Sequence, residues 1–193
     1  MFNSFTPIAD NKLDEVVYSS NEIKEDIERL SREIDSFYLH GTEDIPVALV
    51  VMDGAFMFAA DLVRQCDTEF EVQFVKMKSY EGNARLKRPI MHSSPRIITE
   101  LMGKHVLIIE DILDSGMTLR QIYRSAKLNK AADIKSCVLI DREEGSTNDA
   151  HKFYGGADFT GKTISVPSFV VGYGLDYKGL YRDLPNVHAM EPF

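Results

Sequence analysis

The chain has 193 residues, 44% hydrophobic and 27% charged, which suits one soluble globular domain with a real core and leaves little room for two. Its net charge of −8 argues against broad, nonspecific nucleic-acid binding, which needs a basic face. No apolar run reaches the roughly 18 residues of a membrane span, and the opening MFNSFTPIADNKLDEVV lacks the basic flank and apolar core of a signal peptide.

Residues 21–40 place Ile23, Ile27, Leu30, Ile34, Phe37 and Tyr38 at helical spacing with charges between them, so the pattern predicts an amphipathic helix stopped near Gly41. The run PVALVVM (46–52) predicts a buried strand, and residues 55–64 a helix after Gly54. Residues 70–77 alternate toward a second strand. Residues 79–96 are polar and basic, with Gly82, Asn83, Pro89 and Pro95, and predict a long mobile loop or loose hairpin. Residues 106–109 predict a buried strand, 117–128 a helix with Leu119, Ile122 and Tyr123 on one face, and 134–140 another strand. Residues 143–161 read as polar and irregular, and 168–173 and 187–190 as late strands. Strands alternating with helices imply a parallel sheet with helices on both faces, whose ligands sit at the carboxyl ends of the strands, where Glu110 is expected. Cys66 and Cys137 stand in apolar contexts without metal spacing, so both are expected as buried, reduced thiols of a cytoplasmic protein.

The informative stretch is VLIIEDILDSGMTL (106–119). Ser115 and Gly116 let the backbone turn tightly and expose its N–H groups, and a helix starts there with unpaired donors and a positive dipole end. The hydroxyls of Ser115 and Thr118 add hydrogen bonds, so the loop of 114–118 suits one dianionic phosphate. It is neither GxxxxGK[ST] nor GxGxxG, which disfavours triphosphate hydrolysis. Carboxylates beside a phosphate site repel the ligand unless they have another task. Glu110 and Asp111 can accept hydrogen bonds from sugar hydroxyls or meet a Mg²⁺ ion, and Asp114 can act as a general base. The plainer alternative is that Asp111 or Asp114 only caps the helix.

This stretch resembles the phosphoribosyl-pyrophosphate signature of type I phosphoribosyltransferases. SFVVGYGLDYKGLYRDLP (168–185), GAFMFAADLVR (54–64) and the pair Ser79-Tyr80 resemble the hypoxanthine-guanine branch of that family, from about Pro46 to the end of the chain. The resemblance implies an α/β, single-domain protein over 1–193, with a parallel, Rossmann-like sheet flanked by helices and a small hood from the termini. Residues 1–45 would form a helical cap or hood, and 79–96, with Arg85, Lys87 and Arg88, a lid over the reacting centre. It implies transfer of 5-phosphoribosyl from phosphoribosyl pyrophosphate to hypoxanthine or guanine with Mg²⁺. The backbone of residues 115–118, including Met117, would hold the 5′-phosphate, and Glu110 and Asp111 the ribose and metal. Phe169 would stack on the purine and Val170 read its edge beside Ser168. Asp176 would bind a Mg²⁺ that also holds pyrophosphate, and Arg182 the pyrophosphate itself. Gly54, Ser79 and Tyr80 would complete the substrate site. Small-molecule partners, a homodimer or homotetramer and a cytoplasmic setting are implied as well.

Two residues depart from the family pattern. Arg142, in LIDREEG, stands where a lysine usually donates to the purine 6-oxo group; its fork can reach both O6 and N7, or it can pair with Glu143 or Glu144 at the surface. Asp53, in MDGAF, stands in the pyrophosphate turn where a basic or neutral residue is common, and would repel pyrophosphate unless a metal or basic neighbour intervened. Two alternatives stay open: a non-catalytic ligand-binding regulator, and the same enzyme class acting on xanthine or another base.

Overall fold

The computed structural model describes residues 13–39, 44–81, 84–91, 100–142, 156–166 and 168–191, with backbone alone for 78–81 and 84–91. In chain order these form β1 (Leu13–Tyr18), α1 (Ser20–Tyr38), β2 (Val47–Met52), α2 (Phe56–Gln65), β3 (Glu71–Glu81), β4 (Ala84–Met91), β5 (His105–Leu113), α3 (Met117–Leu128), β6 (Asp133–Arg142), β7 (Phe159–Ile164), β8 (Phe169–Val171) and β9 (Val187–Met190).

β2, β5 and β6 read as apolar runs because both faces of the sheet are covered there. Ala48 and Val50 of β2, with Leu107 and Ile109 of β5, pack against Ile23, Ile27, Leu30 and Ile34 of α1 and Phe58 and Leu62 of α2. The alternate residues Val47, Leu49, Val51, Val106 and Ile108 pack against Leu119, Ile122 and Ala126 of α3. A substitution on either side of this two-unit alternation therefore strikes a different helix layer. α1 begins on a capping box, in which the Ser19 side chain accepts from Glu22 N–H and the Glu22 carboxylate accepts from Ser19 N–H.

The main sheet runs β4-β3-β2-β5-β6-β7, parallel from β3 to β7, with β4 antiparallel at one edge. The crossover after β2 carries α2 on one face, and that after β5 carries α3 on the other. The carboxyl ends of β2 and β5 therefore flank a topological switch point, where a crevice opens. β2 pairs with β5 only as far as Ile109, whereas β5 stays paired with β6 to Leu113. Glu110 thus lies inside the ladder rather than past its end, a correction to the shorter strand read from the sequence.

A second, antiparallel sheet of order β1-β9-β8 joins the two terminal regions into a hood. β1 is a correction as well: the helical cap expected over 1–45 starts with a strand, LDEVVY, whose alternation is blurred by bulges against β9. β7 corrects the irregular reading of 143–161. FTGKTI carries few apolar residues because it is an edge strand, covered by α1, where Arg29 donates to the carbonyls of Thr160 and Gly161. Within 79–96 the described backbone is an antiparallel pairing of β3 with β4. The remaining lid positions 82–83 and 92–96 lie outside the described residues, as do Gly41 and the segment 143–155.

Candidate active site

At the switch point lies a cavity of about 340 Å³, walled by the turn after β2, the end of β5, the start of α3, and residues of β6 and β8. It brings together Gly54, Glu110, Asp111, Asp114, Ser115, Gly116, Met117, Thr118, Arg142, Phe169, Val170 and Asp176, residues drawn from five separate stretches of sequence. Asp53 lines it too, as do Met77, Ile112 and Leu175, hydrophobics with no polar signature to single them out in the sequence. Ser79 and Tyr80 lie on β3, with their side chains outside the described residues.

The phosphate end is built by backbone. Gly116 is the N-cap of α3 in the left-handed region, φ +67°, and α3 has no side-chain cap. The N-cap position itself is Gly116, not Asp111 or Asp114. The first turn of α3 lines the cavity, with the hydroxyl-bearing Ser115 and Thr118 on its wall, and a helix start of this kind suits an anion.

The acid pair sits deeper. Glu110 is buried and its Oε2 has no hydrogen-bond partner. Desolvation, reinforced by the Asp111 charge, pushes its carboxyl well above the usual range. Asp111 is pushed up to about 6, by desolvation foremost, although the N–H of Ile112 donates to Oδ1 at 3.0 Å and opposes the shift. Gly54 faces this carboxylate so closely that a Cβ there would lie 1.7 Å from Asp111 Oδ2.

The sign of the pH effect follows. A carboxyl raised above its unfolded value of 3.8 favours folding where it is protonated; that contribution is complete below about 4 and is lost as pH rises through about 6. Asp111→Asn should therefore stabilise the unliganded protein at pH 7.5, by on the order of 1–2 kcal/mol and a few degrees in Tm, with the gain vanishing near pH 4. Thermal melts of both proteins at the two pH values check this; an equal gain at both would dismiss the ionised carboxylate as its source.

The other end of the cavity is aromatic and cationic. Phe169 is 37% exposed and meets Tyr177 edge-on, centroids 5.8 Å apart, which leaves ring surface for a planar ligand. Val170 behind it is buried. Arg142 Nη2 donates to the carbonyl of Ser168 at 3.1 Å, while its buried Nε has no partner. A tethered guanidinium with an unmet donor in a cavity wall suits an acceptor on a bound ligand. Its expected surface partners, Glu143 and Glu144, lie outside the described residues.

Asp176 is occupied at both oxygens: Oδ1 pairs with Arg182 at 2.8 Å and Oδ2 accepts the Gly179 N–H at 2.6 Å. Arg182 also donates to the Gly174 carbonyl, and it reaches the cavity through its contact with Asp176. Among the described residues, no three His, Cys, Asp or Glu side chains are gathered to hold a metal by themselves. The thiols take no part: Cys137 is buried as expected, while Cys66 is only partly buried and is pushed up to about 12, mainly by desolvation.

Residues 15–178 match the family model of the phosphoribosyl transferase domain. The chain is 36% identical over 181 residues to the hypoxanthine-guanine phosphoribosyltransferase of Bacillus subtilis (strain 168), covering 93% of this chain and 94% of that protein. It is 32% identical over 187 residues to the hypoxanthine-guanine-xanthine phosphoribosyltransferase of Tritrichomonas foetus, covering 96% of each. Among solved structures it is similar to a lysine-to-arginine mutant of the hypoxanthine phosphoribosyltransferase from Trypanosoma cruzi, complexed with the product IMP, with a TM-score of 0.79, 29% identity, and coverage of 96% of this chain and 94% of that one.

Proposed function

The chain belongs to the phosphoribosyl transferase domain family, and from that membership and its site we infer that it serves purine salvage, moving 5-phosphoribosyl from phosphoribosyl pyrophosphate to hypoxanthine or guanine, with IMP or GMP and pyrophosphate as products. One observation carries the assignment of ends. A helix start with no side-chain cap, an exposed aromatic ring, a tethered arginine and a carboxylate pair all line one cavity.

In this reading residues 114–118 hold the 5′-phosphate, and Glu110 and Asp111 take the ribose hydroxyls. The C1′–O bond to pyrophosphate breaks as a purine ring nitrogen bonds to C1′, through a sugar that gains positive charge as in glycoside chemistry. Asp114 accepts the proton the purine releases. Phe169 stacks on the base, Val170 faces its edge, and Arg142 donates to its 6-oxo group. Much of the acceleration comes from holding two substrates in register.

Glu110 and Asp111 also fit Mg²⁺, since two desolvated carboxylates with an unpartnered oxygen are what an oxygen-loving cation relieves. With no third acid gathered, the cation would take its other ligands from substrate and water. When bound it would neutralise the leaving pyrophosphate. Asp176, which lines the same cavity, would join through a remaining lone pair of a carboxylate already held by Arg182 and the Gly179 N–H, and Arg182 keeps further N–H donors for pyrophosphate.

Residues 1–193 are read as one catalytic domain, the hood being the β1-β9-β8 sheet and residues 79–96 the lid. A cytoplasmic protein suits its two free thiols, and no helix among the described residues is long and apolar enough to cross a membrane. A homodimer or homotetramer suits the exposed Phe56, Val72 and Phe74. The regulator alternative is not favoured, because the base position and both substrate ends are present. Xanthine remains the second reading, since the Tritrichomonas relative carries it in its name.

The test incubates the protein with labelled phosphoribosyl pyrophosphate, Mg²⁺ and each base separately. Nucleotide should form with hypoxanthine or guanine, and its absence with every base would overturn the enzyme reading. Arg142→Ala should raise the purine KM at least tenfold while leaving the phosphoribosyl pyrophosphate KM within about twofold, the loss of one charge-assisted contact. An equal loss for both substrates would make Arg142 a structural residue.

A further inference from the structure

Asp53 opens the turn after β2 and lines the cavity, and the family resemblance makes that turn the one that holds the leaving pyrophosphate. A bare carboxylate there would repel an anionic ligand. The structure supplies a counter-charge from a residue distant in sequence: Lys76 Nζ lies 2.7 Å from Asp53 Oδ2. We propose that Lys76 is a positioning residue, which holds the Asp53 carboxylate away from the leaving-group end of the cavity so that the turn's backbone N–H groups face the pyrophosphate. The proposal rests on the transferase reading above and deepens it.

The geometry comes from the parallel ladder between β2 and β3. Its register sets Ala48 opposite Val72, Val50 opposite Phe74 and Met52 opposite Lys76. Ala48 and Val50 pack on the α1 and α2 side of the sheet, so the strand period places Lys76 on that side too. Met77, the next residue along β3, points to the opposite face, and it is Met77 that lines the cavity. The ion pair therefore draws the carboxylate toward Lys76, which is not among the residues lining the cavity, while Asp53 and Gly54 stay in the cavity wall.

Stability alone does not account for the pair. Its side chains are 60% and 46% exposed, and an ion pair so well solvated adds little to folding. Its consequence is local: it cancels and redirects the one acid that the turn carries. The departure at Asp53 and the lysine at 76 are then two halves of one arrangement.

The experiment compares wild type, Lys76→Met, Lys76→Arg and the double variant Lys76→Met/Asp53→Asn. Steady-state kinetics give KM for phosphoribosyl pyrophosphate and for hypoxanthine, and Ki for inorganic pyrophosphate. Lys76→Met frees the carboxylate and should raise the phosphoribosyl pyrophosphate KM and the pyrophosphate Ki about tenfold, with the hypoxanthine KM unchanged. Lys76→Arg should stay close to wild type. The double variant, which has lost both the lysine and the charge it restrains, should recover to within about twofold of wild type. If Lys76→Met behaves as wild type, the proposal fails. If the double variant is as impaired as Lys76→Met, it also fails, and Lys76 instead touches pyrophosphate directly. Absence of turnover in wild type itself would overturn the transferase reading rather than this one.

Discussion

Replacing Asp114 with asparagine is expected to lower kcat by about 10²-fold or more, while the KM for phosphoribosyl pyrophosphate stays within a few-fold of wild type. The asparagine keeps the shape of the side chain but cannot accept a proton as a carboxylate does. Asp114 lies at the turn before α3 and lines the same cavity as Arg142 and Phe169, which would hold the base. The phosphate cradle beside it is made of backbone from Ser115 onward and does not need the charge. A general base therefore predicts a loss in the chemical step and not in binding of the phosphorylated substrate. Turnover of purified Asp114→Asn equal to wild type would falsify that role. An equal loss in both constants, with a lowered Tm, would reassign Asp114 to holding the turn.

Gly54→Ala should be as severe for a different reason. The new Cβ would sit 1.7 Å from Asp111 Oδ2 and 2.6 Å from its Cγ, distances that real Cβ contacts essentially never show. Asp111 cannot swing aside freely, because its Oδ1 accepts the Ile112 N–H. Nor can the turn retreat easily, since a Cβ on Gly174 would already lie 2.2 Å from the Gly54 carbonyl, the two backbones being in contact. The displaced carboxylate is the one assigned to the ribose, and a shift of about 1 Å there can cost about 10²-fold. The expected result is a loss of at least 10² in kcat/KM with a lower Tm. Gly54→Ala combined with Asp111→Ala separates the causes: relief of the clash should restore Tm but not activity. Full activity in Gly54→Ala would mean that the Asp111 position is not what the site requires.

Asp111→Asn and Gly54→Ala touch the same carboxylate from opposite sides. The first removes a buried charge and should stabilise the empty protein; the second keeps the charge and moves it. A stabilised but inactive Asp111→Asn protein would mark the carboxylate as one held at a cost to folding for the sake of binding. Glu110, more deeply buried and with an unpartnered oxygen, shows the same conflict in stronger form.

The sequence determined more of this site than of its frame. Residues 106–119 specify a strand, an acid pair, a turn and a helix start by local chemistry alone, and those residues sit together because they are neighbours in the chain. The central strands were equally legible, because a strand covered on both faces must be apolar throughout. β1 and β7 were not, since LDEVVY and FTGKTI lie at sheet edges, where burial imposes no clear pattern and pairing with a distant strand decides the state. The same holds within the site. Only the folded chain decides that Arg142 is tied to the Ser168 carbonyl, that Gly54 is pressed on Asp111, and that Lys76 answers Asp53. The contacts of Arg142 with Ser168, Gly54 with Asp111 and Lys76 with Asp53 join segments more than twenty residues apart, set by strand register and by which face a crossover takes, quantities that no local stretch encodes.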